Sequence, residues 1–288
     1  VIKYPTDWKD FELIDSGNGE KLERWANILI SRPDPQALWQ KDEKAQSDWN
    51  NVDFYYTRSQ KGGGFWQDRH KNPITKESSL PTAVIKYGDL KFHFKLTSFK
   101  HTLIFPEQAV NWNFIREQKA KNILNLFAYT GGATLAGIAG RAKVTHVDSS
   151  GGMIGIAQSN LEMSQLDKTS VRFIKDDALK FVDKELRRGT RYEAVILDPP
   201  VYGRGSKGEL WQIEKDLPNL LFKINKLLAH NKKYVMLNVY ANNYSIYSFV
   251  NICRQIFVNS SIEYYEIGIV QTLNKFILPA GATILVKF

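Results

Sequence analysis

Residues 123–148 read ILNLFAYTGGATLAGIAGRAKVTHVD. The stretch opens on an apolar run, residues 123–127, with the length and composition of a buried strand. A glycine turn at Gly131-Gly132 follows, then small residues over 133–139 that allow a helix to pack close to a sheet. Residues 144–148 are strand-like again. Strand, glycine turn, small-residue helix and strand make a βαβ unit, and that unit implies a parallel sheet.

The same grammar continues toward the C-terminus. Helical residues around 153–166 precede a third strand at 171–174, a helix at 178–188 and a fourth strand at 194–197. A fifth strand at 234–237 has helical segments on either side. The expected fold is α/β, a Rossmann-like, mostly parallel, doubly wound sheet with helices on both faces. Upstream the pattern changes to short aromatic strands at 52–57, 82–87 and 90–96, the last two joined by a Gly88-Asp89 hairpin turn. A smaller β-rich domain over 1–105 is therefore expected before the α/β domain over 106–288. Five of the seven tryptophans lie before residue 70, placed for core packing or for stacking on RNA bases.

Composition narrows the function classes. Of 288 residues, 43% are hydrophobic and 24% charged, the balance of a globular protein. No apolar run approaches the roughly 20 residues that span a bilayer. The charged start VIKYPTDWKDFE has no signal-peptide core, so a cytoplasmic protein with no membrane partner is expected. One cysteine excludes an internal disulfide and fits a reducing compartment. The five histidines lack ligand spacing, which predicts no metal centre. The formal charge of +9 is uneven: residues 1–110 carry 16 Lys/Arg against 15 Asp/Glu, and residues 111–288 carry 23 against 15, or +8. Such an excess suits a polyanionic partner, although scattered solvated lysines would give the same count.

In a doubly wound sheet ligands bind at the carboxyl ends of the strands. The first strand ends in Ala128-Tyr129-Thr130-Gly131, which lacks the GxGxxG spacing of a pyrophosphate loop. The second ends in Asp148-Ser149, a carboxylate placed to accept a ribose diol or to cap the next helix. The third ends in Asp176-Asp177, where an adenine contact and a helix cap are compatible roles. The fourth ends in Asp198-Pro199-Pro200. Together these ends describe a nucleoside cleft without a dinucleotide phosphate loop. S-adenosylmethionine fits it better than NAD, having ribose and adenine without phosphate and a sulfonium that carboxylates favour.

The segments NLFAYTGGATLAGIAGRAKVTHVDSSGGMIGIAQSNLEMSQL (125–166), DDALKFV (176–182) and ILDPPVYGRG (196–205) resemble the class I S-adenosylmethionine-dependent methyltransferases. Within them the chain is most similar to proteins related to the bacterial 23S rRNA large-subunit methyltransferases. The similarity extends through RPDPQALW (32–39) and KHTLIFPEQA (100–109). It implies S-adenosylmethionine as cofactor, S-adenosylhomocysteine as product, no metal, and RNA, ribosomal RNA foremost, as partner. It also implies cofactor contacts from Phe105, Gln108, Ala128, Tyr129, Thr130, Gly131, Asp148, Ser149, Asp177 and Asp198. The chain departs from its relatives at Leu103, where they usually have glycine, and at Gly151, where they often have lysine or alanine. The RNA-binding PUA module at the front of some rRNA methyltransferases is not recognisable.

Methyl transfer needs alignment of the acceptor more than acid–base power. Asp198 with the rigid Pro199-Pro200 turn suits an amine acceptor, because the carboxylate and a proline carbonyl accept its N–H groups. Tyr202 is a candidate to act beside them and to stack on a flipped base, and Arg204 and Lys207 are candidates for a mobile basic lip. A packed loop anchor for Tyr202 and simple solvation for the two cations are the plainer alternatives. Carbon methylation at cytosine C5 needs a thiol nucleophile, and related enzymes place it after the fifth strand, where this chain reads Asn238-Val239-Tyr240-Ala241-Asn242-Asn243. The only cysteine, Cys253, falls on the apolar stripe of a helix and is expected in the core. The expected target is thus a nucleobase nitrogen and not cytosine C5. Methylation of a small molecule or protein, and RNA binding without turnover, remain as alternatives.

Overall fold

A computed structural model describes residues 1–59, 63–76, 79–97, 100–205, 208–240 and 243–288. The chain forms two compact units, one of Tyr4–Ala109 with Gly268–Ala280, the other of Val1–Lys3, Val110–Ile267 and Gly281–Phe288. A single cut at residue 105 does not describe this division. β1 (Ile2–Lys3) pairs in parallel with a strand near the C-terminus, and Gln271 donates to the Ser16 carbonyl at 3.1 Å and hydroxyl at 2.6 Å inside the β-rich unit.

In the β-rich unit, β2 (Phe11–Gly17), β3 (Glu20–Trp25) and β4 (Ile28–Pro33) form an antiparallel meander. After the short α1 (Gln46–Asn50), β5 (Phe54–Arg58) joins β4 in parallel, and β6 (Gly64–Asp68) closes the five-stranded sheet. The expected hairpin is present as β7 (Thr82–Tyr87) and β8 (Leu90–Lys95), with Gly88 supplying the positive φ of 57° that the turn requires. Most tryptophans here serve packing: Trp25 and Trp66 are fully buried, and Trp25 stacks on Phe94 at 4.9 Å.

The second unit begins with α2 (Ala109–Glu117), whose first residue belongs to the β-rich unit. Then come β9 (Asn122–Leu126), α3 (Gly132–Ala139), β10 (Lys143–Asp148), α4 (Gly151–Met163), β11 (Val171–Lys175), α5 (Ala178–Arg188) and β12 (Ala194–Leu197). Next a hairpin of β13 (Tyr202–Arg204) and β14 (Leu210–Gln212) forms where a loop was expected. Then α6 (Ile213–Leu227), β15 (Tyr234–Val239), α7 (Ile246–Ile256), β16 (Ser261–Val270) and β17 (Ile277–Lys287) complete the chain. The sheet order is β1-β16-β17-β15-β12-β9-β10-β11, with β9 to β12 and β15 parallel and β17 antiparallel to β15.

Strand periodicity divides the layers. Leu124, Leu126, Val195, Leu197 and Val235 face one side, in one core with Phe181, Leu217, Leu221 and Phe249 of α5, α6 and α7. Burying each such side chain contributes about 1.5–3 kcal/mol. On the other side α3 lies so close that a Cβ on Gly137 would meet Val144 at 3.0 Å and Ile123 at 3.2 Å. There Asn125 donates to the Thr134 hydroxyl at 3.0 Å, and that hydroxyl meets His146 Nδ1 at 2.9 Å. Burial pushes His146 down to about 3, so its ring is neutral at ordinary pH. Cys253 is fully buried in α7, its thiol pushed up to about 12 by burial. Among the described residues no helix is long and apolar enough to cross a membrane.

Candidate functional site

The chain runs outward from β9 through β10 to β11, then returns to the other side of β9 as β12. The strand order therefore reverses between β9 and β12. A crevice opens at such a point because the connecting segments leave in opposite directions. An open cleft lies at these carboxyl ends, lined by Phe127, Asp148, Asp177, Pro200 and Trp211 among others.

Its polar wall comes from β10 and β11. Asp148, at the end of β10, accepts the amide N–H groups of Tyr129 and Ser150, both at 2.8 Å. Burial raises its pKa, and the N–H bonds from Ser150, Tyr129 and Ser149 oppose that rise. Of the roughly four lone-pair sites on a carboxylate, these donors leave one for a ligand hydroxyl. Asp177 is the N-cap of α5, accepting from Lys180 N at 3.0 Å, and it also lines the cleft. Asp176 lines it too, fixed by Lys184 at 2.6 Å.

The apolar wall brings residues that sequence reasoning missed. Phe127 leaves β9 with φ 55° and its ring meets Trp211 edge-on, the centroids 5.0 Å apart. Trp211 is only 6% exposed, and its indole N–H donates to the Pro200 carbonyl at 2.7 Å. This bond ties the β13–β14 hairpin to the turn after β12. The Lys180–Glu209 ion pair holds the hairpin to α5.

The predicted residues divide accordingly. Asp148, Ser149, Asp177, Pro200 and Arg204 line the cleft. Ala128, Tyr129, Thr130 and Gly131 build the turn beside it: Ala128 N donates to Val147 O at 3.1 Å, and Thr130 O accepts from Asn160 at 2.9 Å. The glycines serve packing as well, since a Cβ on Gly132 would strike the Trp112 ring at 2.5 Å. Tyr129 and Gly131 hold positive φ of 51° and 90°, and for Tyr129 that conformation is strained. Asp198 is half-buried and Pro199 buried at the end of β12, while Tyr202 is 53% exposed on β13. Phe105 and Gln108 belong to the β-rich unit, flanking and ending a short 3-10 turn at Pro106–Gln108. Lys207 lies outside the described residues.

Comparison with known proteins agrees with this geometry. A family model described as S-adenosylmethionine-dependent methyltransferase matches residues 68–240. The ribosomal RNA large subunit methyltransferase K/L of Shewanella frigidimarina is 31% identical over 185 residues, 62% of this chain. The match spans 24% of that relative, so the chain corresponds to about a quarter of it. The crystal structure of the SAM-dependent methyltransferase from Agrobacterium tumefaciens superposes with a TM-score of 0.91 at 32% identity, covering 100% of this chain and 93% of that one. A SAM-dependent methyltransferase from Streptococcus mutans shares the fold at 15% identity, with a TM-score of 0.73 over 98% of this chain and 76% of that one. With the family model covering more than half of it, this chain belongs to the S-adenosylmethionine-dependent methyltransferase family.

Proposed function

We propose that this protein methylates a nucleobase nitrogen of RNA, ribosomal RNA foremost, with S-adenosylmethionine as methyl donor. The observation that carries the proposal is the placement of Asp198-Pro199-Pro200 at the end of β12, at the sheet's switch point and next to the cleft. The cleft fits the adenosine part of the cofactor. Asp148 offers its remaining lone pair to a ribose hydroxyl, and Phe127, Ala178 and Trp211 offer apolar surface to a base. Asp177 offers a carboxylate beside them without giving up its cap. When bound, S-adenosylmethionine supplies an electrophilic methyl group on a sulfonium.

The chain's own residues would position the acceptor. Asp198 accepts an N–H of an exocyclic amine and turns the nitrogen lone pair away from itself. Its carboxylate then holds the proton that the amine loses. The Pro200 carbonyl is engaged by Trp211, so the second acceptor for the amine is assigned to the Pro199 carbonyl. The fixed φ of two prolines keeps both acceptors in place. Tyr202 is exposed and available to stack on the target base, with Arg204 reaching the phosphates around it. Carbon chemistry at cytosine C5 is disfavoured, because the segment 238–243 at the end of β15 contains no thiol and Cys253 is buried and protonated. The β-rich unit would position the RNA.

The test is transfer of labelled methyl from S-adenosylmethionine to rRNA by the wild type and by Asp198→Ala. The expected loss is about 100-fold in rate at saturating cofactor, within the range for removing a positioned proton acceptor. Undiminished transfer by the variant would remove Asp198 from the mechanism.

A further inference from the structure

The half of the chain with little net charge brings four of its 16 cations to one corner of the β-rich unit. Lys21 on β3 is paired across the strands with Arg32 on β4. The parallel pairing of Ser31 with Tyr55 sets Arg32 level with Tyr56, so Arg58, two residues further along β5, shares its face. Three adjacent strands thus present Lys21, Arg32 and Arg58 on one side of the sheet. Arg32 also donates to the Lys100 carbonyl at 2.8 Å, which brings Lys100 to the same corner.

Two of these cations are matched. Arg32 grips Glu23 through Nε at 2.6 Å and its second amino group at 2.8 Å. Lys21 meets Asp34 at 3.1 Å and Glu23 at 3.6 Å. Among the described residues, neither Arg58 nor Lys100 has a carboxylate within ion-pair distance. Lys100 is half-buried, and its pKa is lowered by that burial, then by Lys21, with Arg32 and Arg58 adding and Asp34 opposing. His101 is held near 4 by burial and by Arg32, Lys100 and Lys21, so it brings no charge at neutral pH. Glu107 acts on Arg32 from further away. Among the described residues, four cations therefore face three carboxylates, a surplus of one.

We infer that Lys100, Arg58 and Lys21 form a phosphate-binding subsite on the β-rich unit, and that its occupant is a backbone phosphodiester of the RNA substrate. A phosphodiester carries the single negative charge that the corner lacks. Arg58 is exposed and gives the anion its approach from solvent, while the half-buried Lys100 gives it a partner poorly served by water. A free phosphate has the same chemistry and would satisfy the same groups. The backbone assignment rests on the RNA function proposed above; the phosphate site does not.

Two measurements on the full chain test this. First, oligoribonucleotide affinity is measured against salt for the wild type, Arg58→Gln and Lys100→Gln. Each variant is expected to lower the salt slope by about 0.7, the value for one single-strand phosphate contact, with S-adenosylmethionine affinity unchanged as the check on folding. Second, the titration of Lys100, followed by NMR on reductively methylated wild type, is expected to move to higher pH with inorganic phosphate. An oligoribonucleotide should move it further. A response to phosphate alone would keep the site and overturn its backbone occupant. If the wild type bound no RNA, the phosphate titration would still decide the site. A Lys100 titration unmoved by phosphate would overturn it.

Discussion

Replacing Asp148 by asparagine separates the ligand role proposed for this carboxylate from its structural one. Asp148 accepts from Tyr129 N on one oxygen and from Ser150 N on the other, both at 2.8 Å. Asparagine presents one acceptor oxygen and one donor nitrogen, so one of those N–H groups would face another donor. Losing a hydrogen bond to a charged acceptor costs about 1.5–3 kcal/mol. Cofactor affinity is therefore expected to fall about 10- to 100-fold, with a loss of about 1–3 kcal/mol in stability from the strained turn. The pH profile distinguishes the two effects. Burial raises the pKa of Asp148 in the free protein, so its contribution to stability is present below the ordinary carboxylate range and lost as pH rises through the raised value. Ribose hydroxyls that donate to it would draw the pKa down again. Binding then releases a proton in the window between the two values, and affinity rises there by up to about tenfold per pH unit. Calorimetry in two buffers of different ionisation enthalpy measures that proton. The reasoning fails if Asp148→Asn binds within about threefold of wild type with the same pH profile.

Three further outcomes are expected. Trp211→Phe keeps a ring against Phe127 but removes the N–H that holds the Pro200 carbonyl. It should lose about 1–2 kcal/mol in denaturant unfolding and about tenfold in methyl-transfer rate; lost stability with an unchanged rate would make Trp211 a packing residue only. Gly155 is exposed inside α4, and a Cβ there would meet nothing within 4 Å. Gly155→Ala should therefore gain about 1 kcal/mol, seen as a rise of about 2–4 °C in Tm. His146 is held near 3 by burial, below its unfolded value, so its contribution is present above the unfolded pKa and lost as pH falls. Wild type should lose about 1.4 kcal/mol per pH unit below 6.5 through this group, and His146→Gln should lack that slope. A slope shared by both proteins would place the acid loss elsewhere.

The parallel sheet was legible because its central strands are buried on both faces and so appear as bare apolar runs, 194–197 matching β12 to the residue; the 178–188 helix matches α5 as closely. The meander β2–β4 was not, because it buries Asp15, Glu23 and Arg32. Glu23 and Arg32 satisfy each other across two strands, and nothing in the linear sequence marks that pairing. β16 and β17 were missed because Glu263 and Glu266 interrupt the first, while Pro279 and Gly281, residues typical of turns, interrupt the second. The acidic strand ends could be found by spacing alone. Trp211 could not, because the glycine-containing hairpin hides its return to the Pro200 turn. Leu103, a departure from the pattern that the resemblance implies, is buried with a positive φ of 66°. Its backbone keeps a conformation suited to glycine, at about 1 kcal/mol of strain, while its side chain joins the core.

The central claim, methylation of an RNA base nitrogen positioned by Asp198-Pro199-Pro200, is tested most directly by nucleoside mass spectrometry of rRNA from cells with and without the gene. The account predicts that one N-methylated nucleoside disappears with the gene and returns when wild type, but not Asp198→Ala, is supplied. An unchanged nucleoside profile, or the loss of 5-methylcytidine, would contradict it.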